Sequence, residues 1–147
     1  MKYGFATVAA AVPRVKVADT HYNILAIEEQ IAIANSRGVE LIVFPELSIT
    51  GYSCQDLFHS QLLLEKAEEA LMHLLDFTRK LDIISVVGMP VAVGDILLNS
   101  AVVVQQGVII GIVPKTFLPN YGEFYEKRWF CSALDIHSQT IYIAGSP

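Results

Sequence analysis

The chain has 147 residues, of which 53% are hydrophobic and 17% are charged, and its net charge is −5. This is enough apolar material for the core of one domain, and an acidic chain without a basic stripe is not expected to bind nucleic acid. The apolar runs are strand-sized, so we expect no membrane-spanning segment. Two cysteines without a secretory signal predict free thiols and a cytoplasmic location.

The spacing of apolar residues predicts strands that alternate with helices. One helix begins at Asp19 or Thr20, which can cap it, and ends near Arg37; another covers residues 60–81. A long loop is predicted over residues 47–59. Strands are predicted over residues 3–12, 40–44, 83–87, 96–104 and 108–113, with a short strand-like run over 140–143. The resulting β-α-β-α-β-β-β order is typical of a layered α/β protein with a mixed sheet.

An ionisable residue directly follows a strand and a proline at two places in the sequence. Glu46 follows Pro45, and Lys115 follows Pro114. Proline cannot donate to a sheet ladder, so each charge falls at the carboxyl end of a strand, where α/β proteins place their chemistry. The two residues form either an ordinary ion pair or an activating pair, in which the carboxylate is a general base and the ammonium stabilises an oxyanion.

Other chemical groups in the sequence carry weaker signals. Cys54 and Cys131 have no flanking motif and are interpreted as ordinary free thiols. The four histidines lack the spacing of a zinc site, and we expect no metal. No glycine-rich phosphate loop is present, so we expect no cofactor in this chain. The aromatic and polar residues over 115–130 are too dense for an ordinary solvated loop.

Two stretches, residues 44–52 around Glu46 and residues 115–130 after Lys115, resemble motifs of the nitrilase, or carbon–nitrogen hydrolase, superfamily. Within it, the second stretch resembles the glutaminase domains of the glutamine-dependent NAD+ synthetase family. Residues 9–19 and 51–58 share this resemblance, which extends to about residue 131. It implies part of a nitrilase-like α-β-β-α sandwich with a mixed sheet, and a Glu-Lys-Cys triad.

The resemblance also implies roles for individual residues. Glu46 matches the general base, Lys115 the oxyanion-stabilising lysine, and Glu123 a second glutamate that orients the lysine and the reacting amide. Three aromatic residues match positions that line the glutamine pocket: Tyr52, Tyr121 and Phe124. The implied reaction hydrolyses glutamine through a cysteine thioester. The ammonia then passes to a synthetase domain, which uses ATP and Mg to amidate deamido-NAD+.

One part of the family pattern is missing from this sequence. The family's nucleophilic cysteine follows a later strand in a Cys-Glu turn, and no such segment occurs before Pro147. We therefore expect residues 1–147 to be the N-terminal part of a glutaminase domain. The strand with the nucleophile and the synthetase domain would then be absent, and the fragment itself inactive. We also expect homo-oligomers, because half a sandwich exposes an apolar face.

Two alternatives remain open. Instead of the glutaminase-domain fragment described above, the chain would then be a fragment of another amidase of the same superfamily, or a non-catalytic module that associates through its apolar face.

Overall fold

The computed structural model describes residues 4–136 and residue 143. The described part contains five strands and two α-helices: β1 (Val8–Ala10), α1 (Thr20–Ser36), β2 (Leu41–Val43), α2 (Gln61–Thr78), β3 (Ile84–Val93), β4 (Ile96–Gln105) and β5 (Val108–Pro114). The strands form one sheet in the order β1-β2-β3-β4-β5. The first three are parallel, and β4 and β5 are each antiparallel to the strand before. The predicted α/β fold with a mixed sheet is confirmed.

The two helices cover one face of the sheet. Asp19 caps α1 as predicted, because its carboxylate accepts a hydrogen bond of 3.0 Å from the amide of Tyr22. The apolar stripe Ile24, Ile27 and Ile31 is at most 1% exposed. Burial of each such side chain contributes about 1.5–3 kcal/mol, so this stripe fixes α1 on the sheet.

The structure departs from the predicted elements in several places, and β1, predicted over 3–12, covers only Val8–Ala10 among the described residues. Residues 47–59, predicted as a loop, contain a 3₁₀ segment, Tyr52–His59. Strand β3 also runs well past the predicted 83–87, through Gly88 and Pro90. Because β2 ends opposite Val86, Pro90 has no β2 residue beside it and its missing N–H costs nothing there. The predicted run over 140–143 lies outside the described residues except for Ile143, which is buried.

Gly88 of β3 allows the chain to cross this strand directly after β2. Its amide donates to the Ser48 hydroxyl at 3.1 Å, and its carbonyl accepts from the Ile49 amide at 3.0 Å. A Cβ atom at Gly88 would lie 2.3 Å from the Leu47 nitrogen. Leu47 itself has a positive φ of 51°, so the turn around Glu46 is tight. Only a glycine leaves room for this close approach.

The other face of the sheet is apolar and carries no helix. The strand register places one row of small and aliphatic residues across all five strands: Ala10, Val43, Val86, Val103 and Gly111. Val43 is 40% exposed, and Val113, on the same face, is 62% exposed. We call this row together with Val113 the open face. None of the helices in the described residues is long and apolar enough to span a membrane.

We expect Gly88→Ala to lower the free energy of unfolding by about 1–3 kcal/mol or more, since the added methyl group overlaps the backbone of the crossing turn. Gly111→Ala is the matched control, because a Cβ at Gly111 on the same sheet meets nothing within 4 Å. Its effect should stay within about 0.5 kcal/mol. Urea unfolding followed by circular dichroism measures both variants. Equal stability of the two would show that the turn does not need a glycine at Gly88.

Candidate active site

Glu46 and Lys115 meet although β3 and β4 separate the strands that carry them. Strand β4 is antiparallel to β3, and β5 is antiparallel to β4, so β5 runs parallel to β3 and β2. The carboxyl ends of β2 and β5 therefore lie at the same edge of the sheet. Three strand spacings amount to about 14 Å. The crossing at Gly88 removes most of this separation, since it carries Glu46 over β3 towards β4.

The Lys115 ammonium lies between two carboxylates. Its Nζ is 2.6 Å from Oε1 of Glu46 and 3.0 Å from each carboxylate oxygen of Glu126. The Glu126 side chain is 1% exposed, the lysine 26% and the Glu46 side chain 41%. A buried carboxylate is stable only when paired, so Glu126 needs the lysine more than the open Glu46 does.

Asn99 orients Glu46 from the neighbouring strand. Its side-chain amide donates to Oε1, the same oxygen that binds Lys115. The backbone carbonyl of Asn99 also accepts from the Lys115 amide at 2.8 Å. Within the described residues, Oε2 of Glu46 accepts no hydrogen bond. One oxygen is therefore fixed in place, and the other remains able to take a proton.

Tyr52 completes the environment of Glu126. Its hydroxyl donates to Oε1 of Glu126 at 2.7 Å. Burial, followed by this hydrogen bond, raises the pKa of Tyr52 well above its usual value. Burial alone would lower the pKa of Lys115, but the hydrogen bonds and charges of Glu46 and Glu126 outweigh it and raise the pKa. At neutral pH the tyrosine is thus a neutral donor and the lysine an ammonium.

The second glutamate at this site is Glu126 and not Glu123. Glu123 is exposed and makes no hydrogen bond to Lys115, whereas Glu126 binds the ammonium through both oxygens. Neighbouring residues in the sequence do not distinguish the two glutamates, because the choice depends on the contact of Glu126 with Tyr52, some seventy positions earlier. The structure therefore does not bring Glu123, the residue that the resemblance names for this role, to the lysine.

The three aromatic residues of the expected pocket lie together. The rings of Tyr52 and Phe124 have centroids 6.5 Å apart, and those of Tyr121 and Phe124 are 6.0 Å apart, both in edge-on contact. A shallow cavity of about 510 Å³ lies beside Glu46 and Lys115 and opens towards the open face. None of the three aromatic residues lines this cavity.

Neither thiol of the chain takes part in this site. The Cys54 thiol is buried and donates to the carbonyls of Thr50 and Gly51, and burial raises its pKa. Cys131 is bonded through its backbone amide to Leu97 and has no contact with either charged group. The described residues also contain no cluster of histidine, cysteine and acidic side chains that could hold a metal ion. Among the described residues, the site thus brings together two carboxylates and an ammonium, with no thiol beside them.

Comparison with known proteins places this geometry in a family. Residues 6–140 match the family profile described as carbon-nitrogen hydrolase. The glutamine-dependent NAD(+) synthetase of Mycobacterium tuberculosis is 35% identical over 99% of this chain. The chain covers only 21% of that relative.

Two solved structures show the same architecture. A glutamine-dependent NAD(+) synthetase from Cytophaga hutchinsonii is 32% identical with a TM-score of 0.86, over 93% of this chain and 23% of its own. One from Acinetobacter baumannii, in complex with ADP, is 32% identical with a TM-score of 0.77, over 84% of this chain and 24% of its own. Because the profile spans residues 6–140 and the first of these structures matches 93% of the chain, the chain is a member of the carbon–nitrogen hydrolase family.

Proposed function

We propose that this chain supplies the general base, the ammonium and the second carboxylate of a site that hydrolyses the side-chain amide of glutamine. The observation that carries the proposal is the Lys115 ammonium held between Glu46 and Glu126, 2.6 Å from the first and 3.0 Å from the second. An ordinary surface ion pair would not require a carboxylate that is 1% exposed and a tyrosine donor behind it.

The proposed chemistry divides the work between the two charged groups. Glu46, through its free Oε2, takes the proton of a cysteine thiol, and the thiolate attacks the amide carbonyl carbon. Lys115 stabilises the negative charge that develops on the carbonyl oxygen. The C–N bond breaks, ammonia leaves with the proton that Glu46 held, and water then hydrolyses the thioester to glutamate.

Glu126 has a supporting role in this scheme. As a buried carboxylate it holds the ammonium in one position and keeps it charged, as the raised pKa of Lys115 indicates. The aromatic group of Tyr52, Tyr121 and Phe124 is joined to the site by the hydrogen bond of Tyr52 to Glu126, and we infer that its rings border the methylene stem of glutamine.

We further propose that the chain is the N-terminal part of a glutaminase domain within a longer cytoplasmic protein. The relatives support this, because the chain covers about a fifth of their length. The nucleophilic cysteine and a synthetase domain would lie outside residues 1–147. ATP, Mg and deamido-NAD+ would belong to that domain. Residues 11–19, which join β1 to α1, contain no glycine and do not fit a phosphate loop, so no step here uses a nucleotide.

In a longer protein that carries this domain, we expect Lys115→Ala and Glu126→Gln to lower glutamine-driven synthesis by at least about a hundredfold, the usual effect of removing a group that stabilises an oxyanion. Synthesis from free ammonia should persist, since the amide-hydrolysing site is not used. Glu123→Gln is the matched control and should keep glutamine-driven activity, because Glu123 is exposed and does not contact Lys115. Equal loss with both nitrogen sources would contradict the proposal.

The 147-residue chain alone should not release glutamate from glutamine. Loss of the nucleophile from a serine-protease triad lowers the rate on the order of a millionfold, and neither thiol here contacts Glu46. The assay incubates the purified chain with glutamine, and in parallel with a diazo-ketone analogue of glutamine that alkylates activated thiols. Glutamate release above background, or stoichiometric labelling of Cys54 or Cys131, would show that one of them is a working nucleophile.

The open face should cause the chain alone to associate, because a sheet with one uncovered apolar face buries it against another surface. Size-exclusion chromatography with light scattering should detect dimers or larger species, in line with a homo-oligomer. Val113→Glu, on the open face, should shift the population towards monomer. Leu62→Glu, on the equally exposed outer side of α2, is the control. A monodisperse monomer at high concentration would contradict association.

A further inference from the structure

The 3₁₀ turn Glu126–Arg128 carries the buried carboxylate of the site, yet it has little internal support. It is a single turn of three residues, too short to be stable by its own hydrogen bonds. Glu126 is anchored through its backbone, whose amide donates to Pro119. The orientation of this turn must therefore come largely from contacts with another part of the chain.

Those contacts come from the 3₁₀ segment Tyr52–His59. Asp56 accepts a bidentate pair of hydrogen bonds from Arg128, 2.7 Å from Nε and 2.9 Å from Nη2. The indole N–H of Trp129 donates to the same carboxylate at 2.9 Å. Three donors from two successive residues thus converge on one side chain, which restricts both the position and the rotation of the turn.

Two further contacts join the same segments. Tyr52 donates to Glu126 itself, and the ring of Phe58 packs on Phe130 with centroids 4.9 Å apart. Tyr52, Asp56 and Phe58 therefore touch the turn and the residues beside it at three separate points. These contacts hold the turn Glu126–Arg128 against the segment Tyr52–His59.

The backbone at Asp56 is itself strained. Gln55, directly before it, has φ 51° and ψ −132°, a conformation that a residue with a side chain adopts rarely. Such strain persists only where the surrounding contacts hold it. The hydrogen bonds of Asp56 to Arg128 and Trp129 also hold the pKa of this carboxyl far below its usual range, so it stays ionised at neutral pH.

We propose that Asp56 is a positioning residue: by clamping Arg128 and Trp129, it fixes the carboxylate of Glu126 against the Lys115 ammonium. The catalytic importance of this positioning rests on the proposed function. The positioning itself is a property of the 147-residue chain. Both members of the Asp56–Arg128 pair are more than half exposed, and exposed ion pairs contribute little to stability. The effect of the clamp is orientation, which a stability measurement by itself does not detect.

The test follows the Lys115 ammonium by ¹⁵N NMR in the 147-residue chain, with Lys115→Arg used to assign the signal. Asp56→Asn keeps the shape but removes the charge. It should speed hydrogen exchange of the ammonium with water by about tenfold or more, the size expected for losing one hydrogen bond to a charged group. Trp129→Phe removes one donor of three and should have a smaller effect.

Asp76→Asn is the matched control, because it breaks another exposed aspartate–arginine pair, Asp76 with Arg79 at 2.7 Å, at the end of α2. In Asp76→Asn, hydrogen exchange of the Lys115 ammonium should equal that of the unchanged chain. The thermal stability of Asp76→Asn should be similar to that of Asp56→Asn. If Asp56→Asn fails to fold, Arg128→Lys, which keeps the charge but loses the bidentate geometry, replaces it. Unchanged exchange in the folded variants would overturn the proposal. No turnover is measured, so a failure of the proposed amide hydrolysis would leave this result intact.

Discussion

The whole site depends on one buried negative charge. Glu126 is 1% exposed, and a carboxylate in that position is unstable unless its charge is matched and its oxygens are bonded. Lys115 supplies the positive charge that matches the Glu126 carboxylate, and the Tyr52 hydroxyl donates a further hydrogen bond to it. This requirement fixes the lysine in turn, since an ammonium bound on one side by a rigid, buried partner presents its other side to Glu46. An ordinary exposed lysine would sample many rotamers and hold no such geometry.

The fold meets this requirement through a crossing that strand order alone does not provide. Glu46 and Lys115 end strands separated by two others, and parallel orientation merely brings them to the same edge. Gly88 permits the turn after β2 to lie directly on β3, so that Glu46 reaches Asn99 and the lysine. The absence of a side chain at Gly88 on β3 thus determines the position of the Glu46 carboxylate, which follows β2. The same turn is buried through Leu47, which is 0% exposed.

Local chemistry in the sequence predicts most of the fold and half of the site. Helical periodicity predicts α1 and α2, and the repeated order of strand, proline and charge identifies Glu46 and Lys115, because those signals arise from neighbouring residues. This local reasoning does not identify Glu126. Whether Glu123 or Glu126 faces the lysine depends on how the aromatic residues around them pack against a segment some seventy positions earlier, as the Tyr52 contact shows. The role of Gly88 is hidden for the same reason, since its crowding arises only in three dimensions.

The open face and the charged site are parts of one arrangement. Asn99 belongs to the side of β4 opposite Val102, and Val102 packs under the helices, so the amide that holds Glu46 lies on the open face. The shallow cavity beside Glu46 and Lys115 is lined by Val43 and Val113 of the same face. Any polypeptide that covers this apolar surface therefore also closes the cavity and comes within reach of the free oxygen of Glu46. If the proposed function holds, coverage of the sheet and completion of the site are one event, because Val43 and Val113 line the same cavity as Glu46 and Lys115.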